Sequence, residues 1–290
     1  MATLTAACAP PLRRPVTPPI KPDITIVTVT YSAPPPPKIT PGHYPSLASA
    51  LDAVMATRTP IIALGEIHQF DQTSTPSTAE QTFAVLFPIM KRYGRESLAT
   101  ELLPFGRQSD LEIADYNRNR TIRPGSLLDR WLKEVMYPDC RGTMRMLEAA
   151  AENGITLYGT NISSPEEYLA LRGAGREDDL SSRVNQNTLD VIEILRSQNP
   201  TNQITAYNGA RHNNTIPLTG EESHSFGQLF PANNYLEVDI LLTSLLPTVP
   251  GRYLSEEIGR SIPETGVALL KRENRVTIIL PRTATPPSCR

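Results

Sequence analysis

Histidine and cysteine are scarce in this chain, and the scarcity narrows its chemistry. There are four histidines, at 43, 68, 212 and 224, and three cysteines, at 8, 140 and 289. Three scattered cysteines exclude a disulfide framework, and no Cys-x-x-Cys offers the usual start of a zinc site. They read as free thiols; a Cys140–Cys289 bridge would need an oxidising compartment. No apolar run is long enough to cross a bilayer. Neither charge sign is in surplus: 28 Lys and Arg face 30 Asp and Glu, for a formal net charge of −2. The chain therefore lacks the basic footprint of a nucleic-acid binder, and no charge block marks an interaction tail. What remains, 39% apolar and 20% charged residues, suits a globular chain with a polar tail.

Proline is abundant instead, with 28 residues, many of them near the start. Residues 1–45, centred on Pro34-Pro-Pro-Pro37, read as an extended, polyproline-like tail. Within it, Asp23 to Tyr31 alternates β-branched residues and could add to a sheet as an edge strand. Leu4-Thr-Ala-Ala-Cys8 resembles the end of a bacterial lipoprotein signal peptide, and a Pro-rich tether follows it. No basic region or full apolar segment stands before it. Two readings stay open. Either Cys8 is a lipid attachment site, the one membrane link of a cell-envelope protein on the periplasmic side, or the likeness is chance and the protein is cytoplasmic.

From Ser46 the pattern turns regular, and residues 46–290 read as one α/β domain. Helices are predicted over 46–57, 78–93, 110–119, 126–135, 143–153, 165–171 and 180–197, with Pro88 inside the second. Strands are predicted over 61–64, 97–101, 155–158, 204–207, 235–243, 267–270 and 276–280. The alternation implies a mostly parallel central sheet flanked by helices. The helices at about 105–153 exceed one crossover and imply a cap or insertion. The last strands lack long helices between them, so the far edge of the sheet should be antiparallel.

The scarce histidines fall into a pattern. Gly65-Glu66-Ile67-His68 and Gly209-Ala210-Arg211-His212 both read Gly-x-x-His, and each follows a predicted strand. Strand C-termini are where such folds place their chemistry. Glu101, Asn161 and Asn208 stand at other strand ends. Two imidazoles with one or two carboxylates can hold a divalent metal and acidify a bound water. Without metal, Glu66 or Glu101 can orient a His as general base. Glu101 lies among Leu98, Leu102 and Leu103, so its carboxylate is either paired with Arg107 or part of the site. Gly65 and Gly209 suit sharp turns or a close backbone approach. Arg211 is a candidate anion clamp or a surface charge. His43 and His224 read as surface residues, and the face with Trp131, Leu132 and Val135 as packing.

The ordered set resembles the Tiki/TraB superfamily, which includes the haem-associated ChaN proteins and the erythromycin esterases. Its hallmark is a Gly-x-x-His after the first strand, often Gly-Glu-x-His, then an acidic residue after the next strand and a second such motif late in the domain. Here these correspond to Gly65–His68, Glu101 and Gly209–His212, over about residues 46–282. The first motif lacks the extra residue usual in the esterases, and Gln69-Phe-Asp-Gln72 stands where ChaN-like proteins show more histidine. The resemblance implies an α/β fold and a site at Glu66, His68, Glu101 and His212. In the reading of the residues, His68 and His212 bind a metal or serve as bases, Glu101 completes or orients the set, and Glu66 activates water. The expectation is a metal-assisted or His/Glu-dependent hydrolase of ester or amide bonds, acting on a small molecule or peptide. The alternative is a cell-envelope protein that binds haem or another small ligand, with Tyr207 available to ferric iron.

Overall fold

The computed structural model describes residues 38–67, 77–136, 140–199, 201–243 and 263–281. Cys8, His68, Cys289 and the strand expected over 23–31 lie outside these residues. The sheet's order follows from eight strands in the sequence β1 (Gly42–Tyr44), β2 (Ile61–Glu66), β3 (Ser97–Pro104), β4 (Thr156–Asn161), β5 (Ile204–Gly209), β6 (Tyr235–Leu242), β7 (Val267–Arg272) and β8 (Arg275–Leu280). In space they run β1-β7-β8-β6-β2-β5-β3-β4. Pairing is parallel from β8 to β4 and antiparallel where β7 and β1 complete one edge. The mostly parallel sheet with an antiparallel edge is the arrangement the sequence implies.

One boundary differs. The tail expected over residues 1–45 overlaps the sheet, which takes in Gly42–Tyr44 as β1. Gly42–Tyr44 pairs with Leu269, Ala268 and Val267 of β7, so the edge strand's open hydrogen bonds draw this segment in. Ile39 is buried beside it.

Helices cover both faces, and local signals account for them. Helix α1 (Leu47–Met55) starts at Ser46, whose hydroxyl accepts from Ser49 N in a capping box. Helix α2 (Thr78–Arg92) starts at Ser77, which accepts from Glu80 N, and continues through Pro88. Their apolar stripes, with Leu51, Val54, Phe83, Leu86, Phe87 and Met90, join Ile62, Leu64 and Tyr207 in the larger core. On the other face α7 (Glu177–Gln198) lays Val191, Ile192 and Leu195 against Ile61, Ala63, Ile204 and Ala206. Each of these faces removes several large side chains from water, at roughly 1.5–3 kcal/mol for each fully buried one.

The insertion between β3 and β4 divides into two parts. Helices α3 (Arg107–Asn119) and α4 (Leu127–Glu134) pack on one another, whereas α5 (Cys140–Asn153) lies along α2 and adds Met146, Leu147 and Ala150 to the larger core. Thus α5 is an ordinary covering helix, and only α3 and α4 are additional. A shorter helix, α6 (Pro165–Gly173), precedes α7 and is capped by Ser164. At the opposite, N-terminal edge of the strands, the fully buried Arg95 donates to Ile204 O at 2.8 Å and to Thr59 O. Its guanidinium stitches β5 to the entry of β2, and burial pulls its pKa down to about 9.

Candidate functional site

The site is built where β3 breaks away from its neighbours. Pairing of β3 with β5 ends at Thr100–Tyr207, and its register with β4 shifts between Thr100 and Pro104. Gly159 of β4 makes the bend sterically open, because a Cβ there would collide with the Pro104 carbonyl. Backbone groups that leave a ladder must find other partners. Here side chains supply them. Glu101 N donates to Asn208 Oδ1 at 2.9 Å, and Glu101 O accepts from Asn161 Nδ2 at 2.7 Å. Leu102 N donates to Thr100 Oγ1, and Leu102 O accepts from Trp131 Nε1 at 3.0 Å. The bulge therefore fixes the backbone that carries Glu101.

The Glu101 carboxylate, in a residue only 5% exposed, points to the end of β5. Its Oε1 accepts from the Gly209 backbone N–H, and its Oε2 lies 3.4 Å from His212 Nε2. A neutral imidazole that presents Nε2–H to this carboxylate carries its lone pair on Nδ1. On the other side of β5, Glu66 at the end of β2 is also buried. Its Oε2 accepts from Tyr207 Oη at 2.6 Å, and the Tyr207 ring packs on Phe83 with centroids 4.5 Å apart. Buried carboxylates persist when hydrogen bonds replace water, as the Gly209 amide and the Tyr207 hydroxyl do here.

The segment after β5 is tightly held. His212 N donates to Gly209 O, and Ala210 N donates to Glu66 O at 2.7 Å. Gly65 is not a turn residue, as its place in the motif suggested; it lies inside β2. A Cβ on Gly65 would stand 2.7 Å from Ala210 Cα and 2.8 Å from Asn213 Nδ2, so the requirement is space for the second motif. Further along, Tyr235 Oη donates to Asn213 O, and Phe226 N donates to His212 O.

Of the residues singled out from sequence, Glu66, Glu101, Tyr207 and His212 gather at the ends of the adjacent strands β2, β5 and β3, and His68 lies outside the described residues. Asn161 and Asn208 act as backbone clamps, and Trp131 joins them. Arg211 faces Glu221 at 3.2 Å and Asp178 at 4.0 Å, half-exposed on the rim. His43 is exposed on β1. His224 is not a surface residue: it is 4% exposed, with Nε2 3.4 Å from Asp178 Oδ1, because the turn Glu222–His224 packs on α7. Missed altogether were Glu237 and Asp239 of β6, both fully buried and both ion-paired with Arg275, which hydrogen-bonds Asp239.

The cofactor expectations meet this geometry unevenly. Of the proposed metal ligands, Glu101 and His212 stand together. Among the described residues no three His, Cys, Asp or Glu side chains gather in a metal-holding group. Tyr207 presents no exposed oxygen to a haem iron, since it is fully buried and its hydroxyl is donated to Glu66. The third expected metal ligand, His68, lies outside the described residues.

No family model matches the chain, and no curated protein matches it. Solved structures do resemble it at low identity. The type III effector HopBA1 matches with a TM-score of 0.45 at 12% identity, over 85% of this chain and 99% of that one. A succinoglycan biosynthesis protein matches with a TM-score of 0.40 at 12% identity, over 81% and 90%. The C-terminal region of Pasteurella multocida toxin, described as holding a thiol-protease like catalytic triad, matches with a TM-score of 0.36 at 15% identity, over 58% of this chain and 21% of that one.

Proposed function

We propose that this protein is a hydrolase of ester or amide bonds in a small-molecule or peptide substrate, with Glu101 and His212 as its working pair and Glu66 as a second carboxylate. One observation carries the reading. A buried carboxylate held by the Gly209 amide, on a backbone clamped by Asn208 and Asn161, faces an imidazole nitrogen at 3.4 Å. A His oriented in this way is a general base.

In the proposed reaction a water oxygen attacks the carbonyl carbon while its proton passes to His212. Glu101 holds the ring and stabilises the imidazolium. The bond from carbon to the leaving oxygen or nitrogen then breaks, and His212 returns the proton to that atom. Glu66, kept in place by the Tyr207 hydroxyl, orients the water. The proposal extends to membership of the Tiki/TraB superfamily. The order of Gly65-Glu66, Glu101 and Gly209–His212 along β2, β3 and β5 supports it.

Turnover of p-nitrophenyl esters and of a fluorogenic peptide amide tests the reading, with metal analysis of the same protein. Loss of turnover in both His212→Ala and Glu101→Gln is expected, by about 10²–10⁴-fold for a general base. Turnover that survives both substitutions would reject it. Metal bound by the parent protein and lost in both variants would instead point to the metal-assisted form.

A further inference from the structure

Strand β6 lies in the interior of the sheet, between β2 and β8, yet it carries two fully buried carboxylates. Interior strands of parallel sheets usually read as apolar runs, and an uncompensated buried charge is strongly unfavourable. Leu236, Val238 and Ile240 follow that rule on one face. Tyr235, Glu237 and Asp239 alternate with them, so they share the other face. Across the ladder Glu237 is in register with Arg275. Arg275 meets both acids: Nε lies 3.0 Å from Glu237 Oε1, and a terminal nitrogen lies 2.9 Å from Asp239 Oδ2.

The second oxygen of Glu237 is engaged elsewhere. Oε2 accepts twice from Thr215, from the backbone N–H at 2.8 Å and from the hydroxyl at 2.7 Å. Thr215 ends the short segment that begins at His212. Inside that segment Asn213 O accepts from Tyr235 Oη at 2.7 Å, two residues along the same face of β6. Asn214 O accepts from Ser225 Oγ, and Gly227 leaves room against the Asn213 carbonyl. The far end of the His212 segment is thus held by one oxygen of a carboxylate whose other oxygen is anchored to the sheet.

We propose that Glu237, braced by Arg275, is a positioning residue that holds the His212 imidazole against Glu101 through Thr215. This rests on the proposed role of the Glu101–His212 pair. The charge matters as well as the shape. The Glu237 carboxylate accepts both Thr215 donors on Oε2 while its charge pairs with the Arg275 guanidinium, whereas an amide is neutral and can turn its NH2 group toward one of them. Glu237→Gln therefore weakens the strut without removing its volume.

NMR of the histidine side chains in the full-length protein tests this without any substrate. Imidazole nitrogen shifts report the tautomer, and a pH titration reports the influence of the nearby carboxylate. Removing that influence lowers the midpoint of a His. In Thr215→Val and Glu237→Gln the His212 midpoint should fall and the Nε2–H tautomer should lose population, while Thr215→Ser restores both and His43 stays unchanged. Unchanged His212 signals in the folded Thr215→Val protein, with only its thermal stability altered, would overturn the proposal and leave Glu237 a purely structural acid. Glu101→Gln in the same experiment separates the two claims. If it leaves His212 unmoved, the Glu101–His212 pairing itself is wrong; if it moves His212 while Thr215→Val does not, only the strut is.

Discussion

Tyr207 donates its hydroxyl to Glu66 across 2.6 Å, in a place where neither residue is more than 2% exposed. The bond crosses from β5 to β2 and fixes one of the two site carboxylates. Tyr207→Phe keeps the ring against Phe83 but leaves the Glu66 oxygen without that donor. It should lower stability by about 1–3 kcal/mol, the usual cost of stranding a buried acceptor. Urea unfolding at neutral pH measures this, and a change well under ~0.5 kcal/mol would mean that Glu66 is satisfied without Tyr207.

Gly65→Ala should be more damaging than its size suggests. The added methyl would stand 2.7 Å from Ala210 Cα, a backbone atom that cannot swing aside. Overpacking of this kind costs roughly 1–3 kcal/mol. The strain falls between β2 and the His212 segment, so ester turnover should drop along with the unfolding midpoint. A variant with parental stability and turnover would show that the two motifs do not press on each other.

Asn208 reaches the site only through a backbone. Asn208→Ala removes the acceptor for Glu101 N–H, and burial leaves that donor without water. The expected loss is about 1–3 kcal/mol in stability, together with reduced turnover at unchanged substrate binding. Parallel thermal unfolding and kcat against KM measurements check it.

Arg95 gives the chain a pH-dependent stability term at the sheet edge far from the site. Its folded pKa, about 9, lies well below the ordinary guanidinium value because burial disfavours the charged form. Between these two values the unfolded chain holds a proton that the native state has released. Stability from this group therefore rises with pH across that window and is lowest below it. Replacing Arg95 with Met removes the term. The stability difference between parent and variant should widen between pH 7 and pH 10 in urea titrations. A constant difference would show that the native guanidinium keeps its full charge.

Much of the fold was legible because its signals are local. Ser46 and Ser77 cap helices whose apolar stripes repeat at helical spacing, and the strands over Ile61 and Ile204 open on short apolar runs. The candidate site was legible where a motif ended a strand, as with Glu66 and His212. The rest depends on register and close approach. Glu101 was read at the end of a short strand, but β3 continues to Pro104 through a bulge set by Gly159 and three distant side chains. Tyr235-Leu-Glu237-Val-Asp239 alternates like a strand with one wet face. Only the placement of Arg275 and Thr215 shows that its acids point inward. His224 was misread because its neighbours in sequence are polar, while its neighbour in space is α7.

The central claim, that Glu101 and His212 act as one unit, is tested most directly by a double-substitution cycle on kcat/KM for ester hydrolysis. Groups that work together lose their effect together. Glu101→Gln and His212→Ala should each lower kcat/KM, and the double variant should be about as active as His212→Ala alone. Losses that multiply in the double variant, or turnover retained in His212→Ala, would contradict the account.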